Sequence, residues 1–327
     1  MKKKILAYIC MLMPIWVSAQ ILNDSTVQVV AYWRLGDTYK YEYQTNEYTV
    51  EGNDTIWGDS SHEIFAIEVV DSTENGYVLK YSSIENSRDT KDKELEAILK
   101  PIMDKYQDFP IYFSTNTHGA FQDIARWDEL QLTVDSIFTD VRENMDKYFF
   151  PNGEKEKMSA EEFQNFENFI NQLFQSFKNK EMTLMGMDFL YEPLYYHGTK
   201  LEQGREYSGK QKFASPWINS ELIDADVILN IHKVDYESSW VTFHRTQRYE
   251  ASQLLDSFYR YMQQAFPPEQ RKDLTPDQLP FIMVETFFDL DVHVNTGWPG
   301  ATYYEKTIQV GPKKKIKSWL LEMIFDE

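Results

Sequence analysis

The stretch EIFAIEVVDSTENGYVLKYSS, residues 63–83, decides the fold. Two runs of β-branched, aromatic and aliphatic residues flank Asn75-Gly76. That dipeptide favours a type I′ turn, because both central residues must take positive φ and Asn and Gly tolerate this best. The stretch therefore reads as an antiparallel hairpin. A two-residue turn sets Asp71 opposite Lys80 and Ile67 opposite Ile84, both sensible cross-strand pairs. A longer loop over residues 71–76 would shift that register.

The same grammar extends in both directions. Tyr39, Tyr41 and Tyr43 alternate with Lys40, Glu42 and Gln44, which marks a half-buried strand with one aromatic face. A turn at Glu51-Gly52-Asn53-Asp54 leads to a return strand from Thr55, and residues 111–117 read as another strand. Residues 226–248 resemble the first hairpin, with a turn near Glu237-Ser238-Ser239. Residues 302–310 and 316–325 form a last hairpin around Gly311-Pro312. The motif FSTNTHG (residues 113–119) resembles VHVNTG (residues 292–297), and Gly36-Asp37-Thr38-Tyr39 resembles Gly204-Arg205-Glu206-Tyr207. These echoes suggest two β-hairpin/helix repeats.

Helical spacing appears at residues 91–106, kinked at Pro101, and at 133–149, 182–196 and 251–266, the last stopped by Pro267-Pro268. A further helix runs to residue 178 behind the capping box Ser159/Glu162. The expected class is α+β: an antiparallel sheet or half-barrel with helices packed on one face. The expected division is a signal peptide (1–19), a first β-rich half (20–123), a helical insertion (124–198) and a second β-rich half (199–327), in one compact domain.

Lys2, Lys3 and Lys4, an apolar run from Ile5 to Val17 and the small residues up to Ala19 read as an export signal cleaved before Gln20. The run is short for a membrane span, so the protein is expected in the periplasm or outside the cell, with no stable membrane insertion. Removing three lysines takes the net charge from −19 to −22. Such acidity excludes a nucleic-acid footprint. The single cysteine, Cys10, leaves with the signal, and with it any thiolate chemistry.

The 15% aromatic content suits strands, and also suits an aromatic-lined ligand surface. Tyr39, Tyr41 and Tyr43, with Phe166 and Phe169 from the helix before residue 178, are the candidate ligand-binding residues. That helix carries a wide phenylalanine stripe, and some of its rings are expected to pack on the strand tyrosines or on residues that serve the same face. Asp289, Asp291 and His293 alternate on one strand face and are the candidate metal ligands. His232 and His244 are expected to approach each other across the second hairpin. Nucleophile, P-loop and dinucleotide motifs are absent from the sequence. No cofactor is expected.

The signal ending at Ala19-Gln20, the Trp33-x-x-Gly36-Asp37 opening and the Asn75-Gly76 hairpin resemble exported proteins of unknown function from Gram-negative bacteria. The architecture also resembles the half-barrel carriers of the outer-membrane lipoprotein pathway, which implies an acyl chain in an aromatic concavity. The first expectation is thus an exported, non-catalytic binding protein with an apolar small molecule or lipid as partner. An envelope or secreted hydrolase using paired carboxylates and an interaction module without a small ligand stand as alternatives.

Overall fold

The structure, a computed structural model, describes residues 21–23, 25–90, 96, 100, 109–150, 153–218, 221–265 and 279–325. The expected signal and Pro267-Pro268 lie outside the described residues. So does the helix expected over 91–106, apart from Glu96 and Lys100.

The strands in chain order are β1 (Ile21–Asn23), β2 (Thr26–Gln28), β3 (Thr38–Glu51), β4 (Asp54–Thr73), β5 (Gly76–Asp89), β6 (Ile111–Thr115), β7 (Phe121–Ala125), β8 (Lys200–Glu202), β9 (Glu206–Ala214), β10 (Leu222–Asp235), β11 (Trp240–Tyr249), β12 (Ile282–His293), β13 (Trp298–Val310) and β14 (Lys313–Ile324). Eleven of them form one antiparallel sheet in the order β7-β6-β5-β4-β3-β14-β13-β12-β11-β10-β9, while β1, β2 and β8 make a small separate sheet. Two meanders are thus fused along β3 and β14, and the sheet stays open between its edges β7 and β9. The class is α+β, as expected. On β12, Ile282, Val284, Thr286, Phe288, Leu290 and Val292 are buried and the residues between them are not, the period of a sheet with one covered face.

The first hairpin forms, in a different register from the expected one. Thr73 pairs with Gly76, a bulge lies between Val69 and Asp71, and Ile67 faces Tyr81 while Glu68 faces Lys80. The bulge puts Phe65, Ile67, Val69, Leu79 and Tyr81 together in the core. Burial of that set outweighs the local preference of the turn. Gly76 serves a close approach as well as the turn: a Cβ there would lie 1.9 Å from the Thr115 carbonyl oxygen.

The helices are α1 (Trp127–Glu143), α2 (Met145–Phe149), α3 (Ala160–Lys178), α4 (Lys180–Met185), α5 (Asp188–Tyr191) and α6 (Ala251–Ala265). The capping box is made: Glu162 N–H donates to Ser159 Oγ at 3.2 Å and Ser159 N–H to Glu162 Oε2 at 2.7 Å. Val134 and Val141 of α1, Phe149 of α2, and Ile170 and Phe174 of α3 share a core that reaches the sheet at Ile124 of β7. The other end of the sheet is covered by α6, whose Leu254 packs among Ile223, Ala225, Tyr249, Ile282 and Val284.

Residues 29–33 run extended, outside both sheets. Val29, Ala31 and Trp33 point inward and are at most 4% exposed. Ala31 N–H donates to His118 O at 2.8 Å and Tyr32 N–H to Thr296 O at 3.2 Å. His118 lies in the β6–β7 turn and Thr296 in the β12–β13 turn. In a flat sheet of this order those turns would stand six strand spacings, roughly 29 Å, apart. Adjacent amides cannot bridge that distance, since consecutive Cα atoms lie about 3.8 Å apart. The sheet is therefore strongly curled, and residues 29–33 act as a strap across its mouth.

Gly297 has φ 74° and a Cβ there would lie 2.5 Å from the Val30 carbonyl oxygen, whereas Gly204 (φ 78°) has open space around it. Gly204→Ala should cost only the left-handed strain, about 1–2 kcal/mol. Gly297→Ala should cost clearly more, because the strap has to shift. Denaturant midpoints of the two variants check this.

Candidate functional site: the concave face and its plug

The curled sheet has an apolar inner face, and its upper part is filled by an irregular segment, residues 187–198. This plug consists of α5, a 3-10 turn at Glu192–Leu194 and a short loop. Phe189 stacks on Tyr43 with ring centroids 4.2 Å apart and meets Phe65 and Tyr81 edge-on at 5.6 and 6.2 Å. Tyr196 stacks on Phe243 at 5.8 Å. The space left beside the plug is about 30 Å³, bounded by Tyr41, Phe65, Phe113, Phe189, Leu194 and Leu321 among others. That is room for about one water.

The plug also carries charge into the interior. Arg245 of β11 sits 2.9 Å from Glu192 Oε2, with side chains 11% and 22% exposed. Its guanidinium also donates to Tyr196 Oη at 3.3 Å and lies 4.6 Å from the Phe288 ring centroid. Burial works against its charge, and Glu192 and Tyr196 outweigh that. Burial pushes the Asp188 carboxyl above the usual carboxylate range; Lys317 opposes the rise and Glu192 adds to it. Lys306 is held below the usual lysine range, first by burial and then by Lys317.

At the far end of the plug, His197 is 4% exposed. Its Nε2 donates to Gly297 O at 2.6 Å, which sets the neutral tautomer. Burial pulls its pKa down to about 4 against the two nearby carbonyls, Gly297 and Leu194. Gly198 N–H donates to Val29 O at 2.7 Å and Gln28 Nε2 donates to Gly198 O at 2.8 Å. Trp33 stacks on Trp298 at 4.5 Å beside the imidazole. Strap, plug and both turns meet at this point.

The candidate ligand residues divide between two cores. Tyr41 is buried and donates to Pro299 O at 3.0 Å; Tyr39 packs on Trp298 at 4.8 Å; Tyr43 lies under the plug. Phe166 packs instead on Phe149 and Phe150, at 5.1 and 5.2 Å, and Phe169 is 45% exposed. The expectation that the α3 stripe covers the strand tyrosines is therefore corrected. The stripe found partners in α1 and α2, and the tyrosines are covered by Phe189. The short, mixed sequence of 187–198 hid that role; Phe189-Leu190 and Pro193-Leu194 ahead of Tyr196-His197-Gly198 are the signal that marks it.

Asp289, Asp291 and His293 share the outer face of β12 and each has its own partner. Asp289 Oδ1 lies 2.8 Å from His244 Nδ1, Asp291 Oδ1 accepts from Thr242 Oγ1 at 2.5 Å, and His293 Nδ1 lies 3.0 Å from Thr296 Oγ1. Among the described residues, no group of three or more such side chains is placed to hold a metal. The ring centroids of His232 and His244 lie 6.4 Å apart. Among the described residues, no helix is long and apolar enough to cross a membrane.

No protein family matches the chain. No curated protein matches it either. Among solved structures, the chain is similar over 89% of its length to 25% of a chain described as "lipid-protein interactions in lipovitellin", at 8% identity and a TM-score of 0.41. A second similarity, at 8% identity and a TM-score of 0.19, covers 89% of this chain and all of a loop-deleted OmpT, an outer membrane protein of Vibrio cholerae.

Two measurements probe the plug. Arg245→Met alone strands a buried carboxylate and should cost about 3–5 kcal/mol, most of it recovered in the double variant with Glu192→Leu; a double-mutant cycle in urea reads this. The His197 pKa falls from 6.5 unfolded to about 4 folded. Between those values the unfolded chain takes up a proton that the folded one refuses, so stability falls as pH drops. The share of His197 should reach about 2 kcal/mol at pH 5 relative to pH 7, and His197→Gln should remove that share from the pH profile.

Proposed function

We propose that the protein is an exported, non-catalytic binding protein that holds an apolar or amphipathic ligand on the concave face of its curled sheet. The observation that carries this reading is the nature of the cover. An aromatic cradle of Tyr41, Tyr43, Phe65 and Tyr81 is filled by short, irregular turns rather than by a continuous second layer. Regular layers hold each other by long ridges of contacts; a segment pinned by Phe189, Leu194, one ion pair and its own ends can leave as a unit. Plug out, the face is an apolar groove of the kind that takes a small ligand.

The hydrolase alternative has its strongest support at Asp188 and Glu192, one turn apart. One is a carboxyl raised by burial and the other a carboxylate held beside Arg245. Opposing it, Glu192 is already held by Arg245 at 2.9 Å, and with the plug seated the roughly 30 Å³ beside it admits no substrate to the two carboxyls.

The test is uptake of a long-chain fluorescent fatty acid. The wild-type protein should bind it, and Phe189→Ala should bind more tightly while losing about 3–5 kcal/mol of stability. Absence of uptake by both proteins removes the reading. The mass of the exported protein checks the rest: it should begin at Gln20, and an intact Met1 sinks the export proposal.

A further inference from the structure

Below the aromatic cradle the inner face changes chemistry. Cross-strand partners run Gln247, Thr286, Lys306, Lys317, Glu47 across β11, β12, β13, β14 and β3. They stand one inward step below Arg245, Phe288, Tyr304, Trp319 and Thr45. Lys306 and Lys317 are thus directly opposite each other, a pairing that like charges disfavour. Lys306 is half-buried and Lys317 exposed, so the pair bridges the interior and the solvent. Among the described residues neither makes an ion pair or a side-chain hydrogen bond. Glu47, the register partner of Lys317, is bonded to Lys315 at 2.8 Å instead.

Asp188 makes no ion pair with either lysine, but its charge reaches both: Lys317 counters the rise of its carboxyl, and it counters the fall of Lys306. It is the first residue of α5, and the next two, Phe189 and Leu190, lie in the cradle. Asp188-Phe189-Leu190 therefore carries one acid group next to an apolar body that lies on the aromatic rings. That is the outline of an acidic amphiphile.

We propose that the plug is an internal stand-in for the ligand, and that the ligand is a long-chain carboxylic acid whose carboxylate replaces Asp188 at Lys306 and Lys317. The proposal rests on the binding-protein reading above and adds the identity of the head group. Two lysines facing each other gain from a single anion between them, and the half-buried one gains most because water solvates it least. The position holds two unpaired lysines with the single carboxyl of Asp188 as the plug's nearby charge, so a singly charged head group suits it. The chain of the ligand then lies where Phe189, Leu190 and Leu194 lie now.

The experiment compares palmitic acid with hexadecanol as competitors for a fluorescent probe, on the full mature protein. Wild type should prefer the acid by about tenfold. Lys306→Met with Lys317→Met should bring the acid down to the level of the alcohol. Asp188→Asn frees the lysines and should strengthen the acid several-fold without an equal gain for the alcohol. Equal binding of acid and alcohol by wild type overturns the head-group assignment. So does a preference that survives in the double lysine variant, or an equal gain for both competitors in Asp188→Asn. In those three cases the binding-protein reading still stands. Failure of both competitors to bind removes that reading as well.

Discussion

Two neighbouring backbone amides, those of Ala31 and Tyr32, hold the shape of this molecule. Each donates to a turn from a different arm of the sheet, and the two turns approach only if the sheet curls. Curling creates the concave face, and the concave face creates the need for a cover. The fit leaves no slack: Gly119 and Gly297 lie where any Cβ would strike Ala31 or the Val30 carbonyl. The plug then joins the same junction through His197 and Gly198. Site, cover and clasp are thus one construction.

The cover is unusual in what it buries. A continuous helix or second sheet would bring apolar contacts and satisfied backbone. Residues 187–198 bring Phe189 and Leu194, and also Asp188, Glu192 and a histidine. Ion pairs away from water contribute little net stability, because desolvation opposes their attraction. A segment selected only to fill the core would not carry two carboxylates into it. Their presence is accounted for if the face beneath is built to meet a charged group.

Much of this architecture is legible in the sequence, and the parts that are not share one cause. Period-2 alternation at Tyr39–Tyr43 and over Asp289–His293 announces strands because each strand has one covered face. The capping box at Ser159 announces a helix start because its two bonds are local. Register is different. Asn75-Gly76 marks the hairpin, yet the turn closes over Glu74-Asn75 with Gly76 already in β5 and Asn75 outside the left-handed region, and the pairing at Ile67 moves by three residues to suit Phe65, Leu79 and Tyr81, a matter of tertiary packing. The stripe on α3 is a true apolar face, but periodicity cannot say which partner covers it. The echo of NTHG and NTG marks the two turns that grip the strap.

The strap has a further consequence, in the order of events rather than in the final state. Tyr32 and Thr296 are separated by most of the chain, so their bond cannot form until both meanders exist and lie side by side. Each hairpin can form from neighbours, at small loop-closure cost; the clasp, like the pairing of β3 with β14, needs a closure across most of the chain. The bond from Ala31 needs only the first meander, whereas the bond from Tyr32 has to wait for the second. A piece among the first in the sequence is thus completed only once both meanders stand, and its docking commits the sheet to its curl.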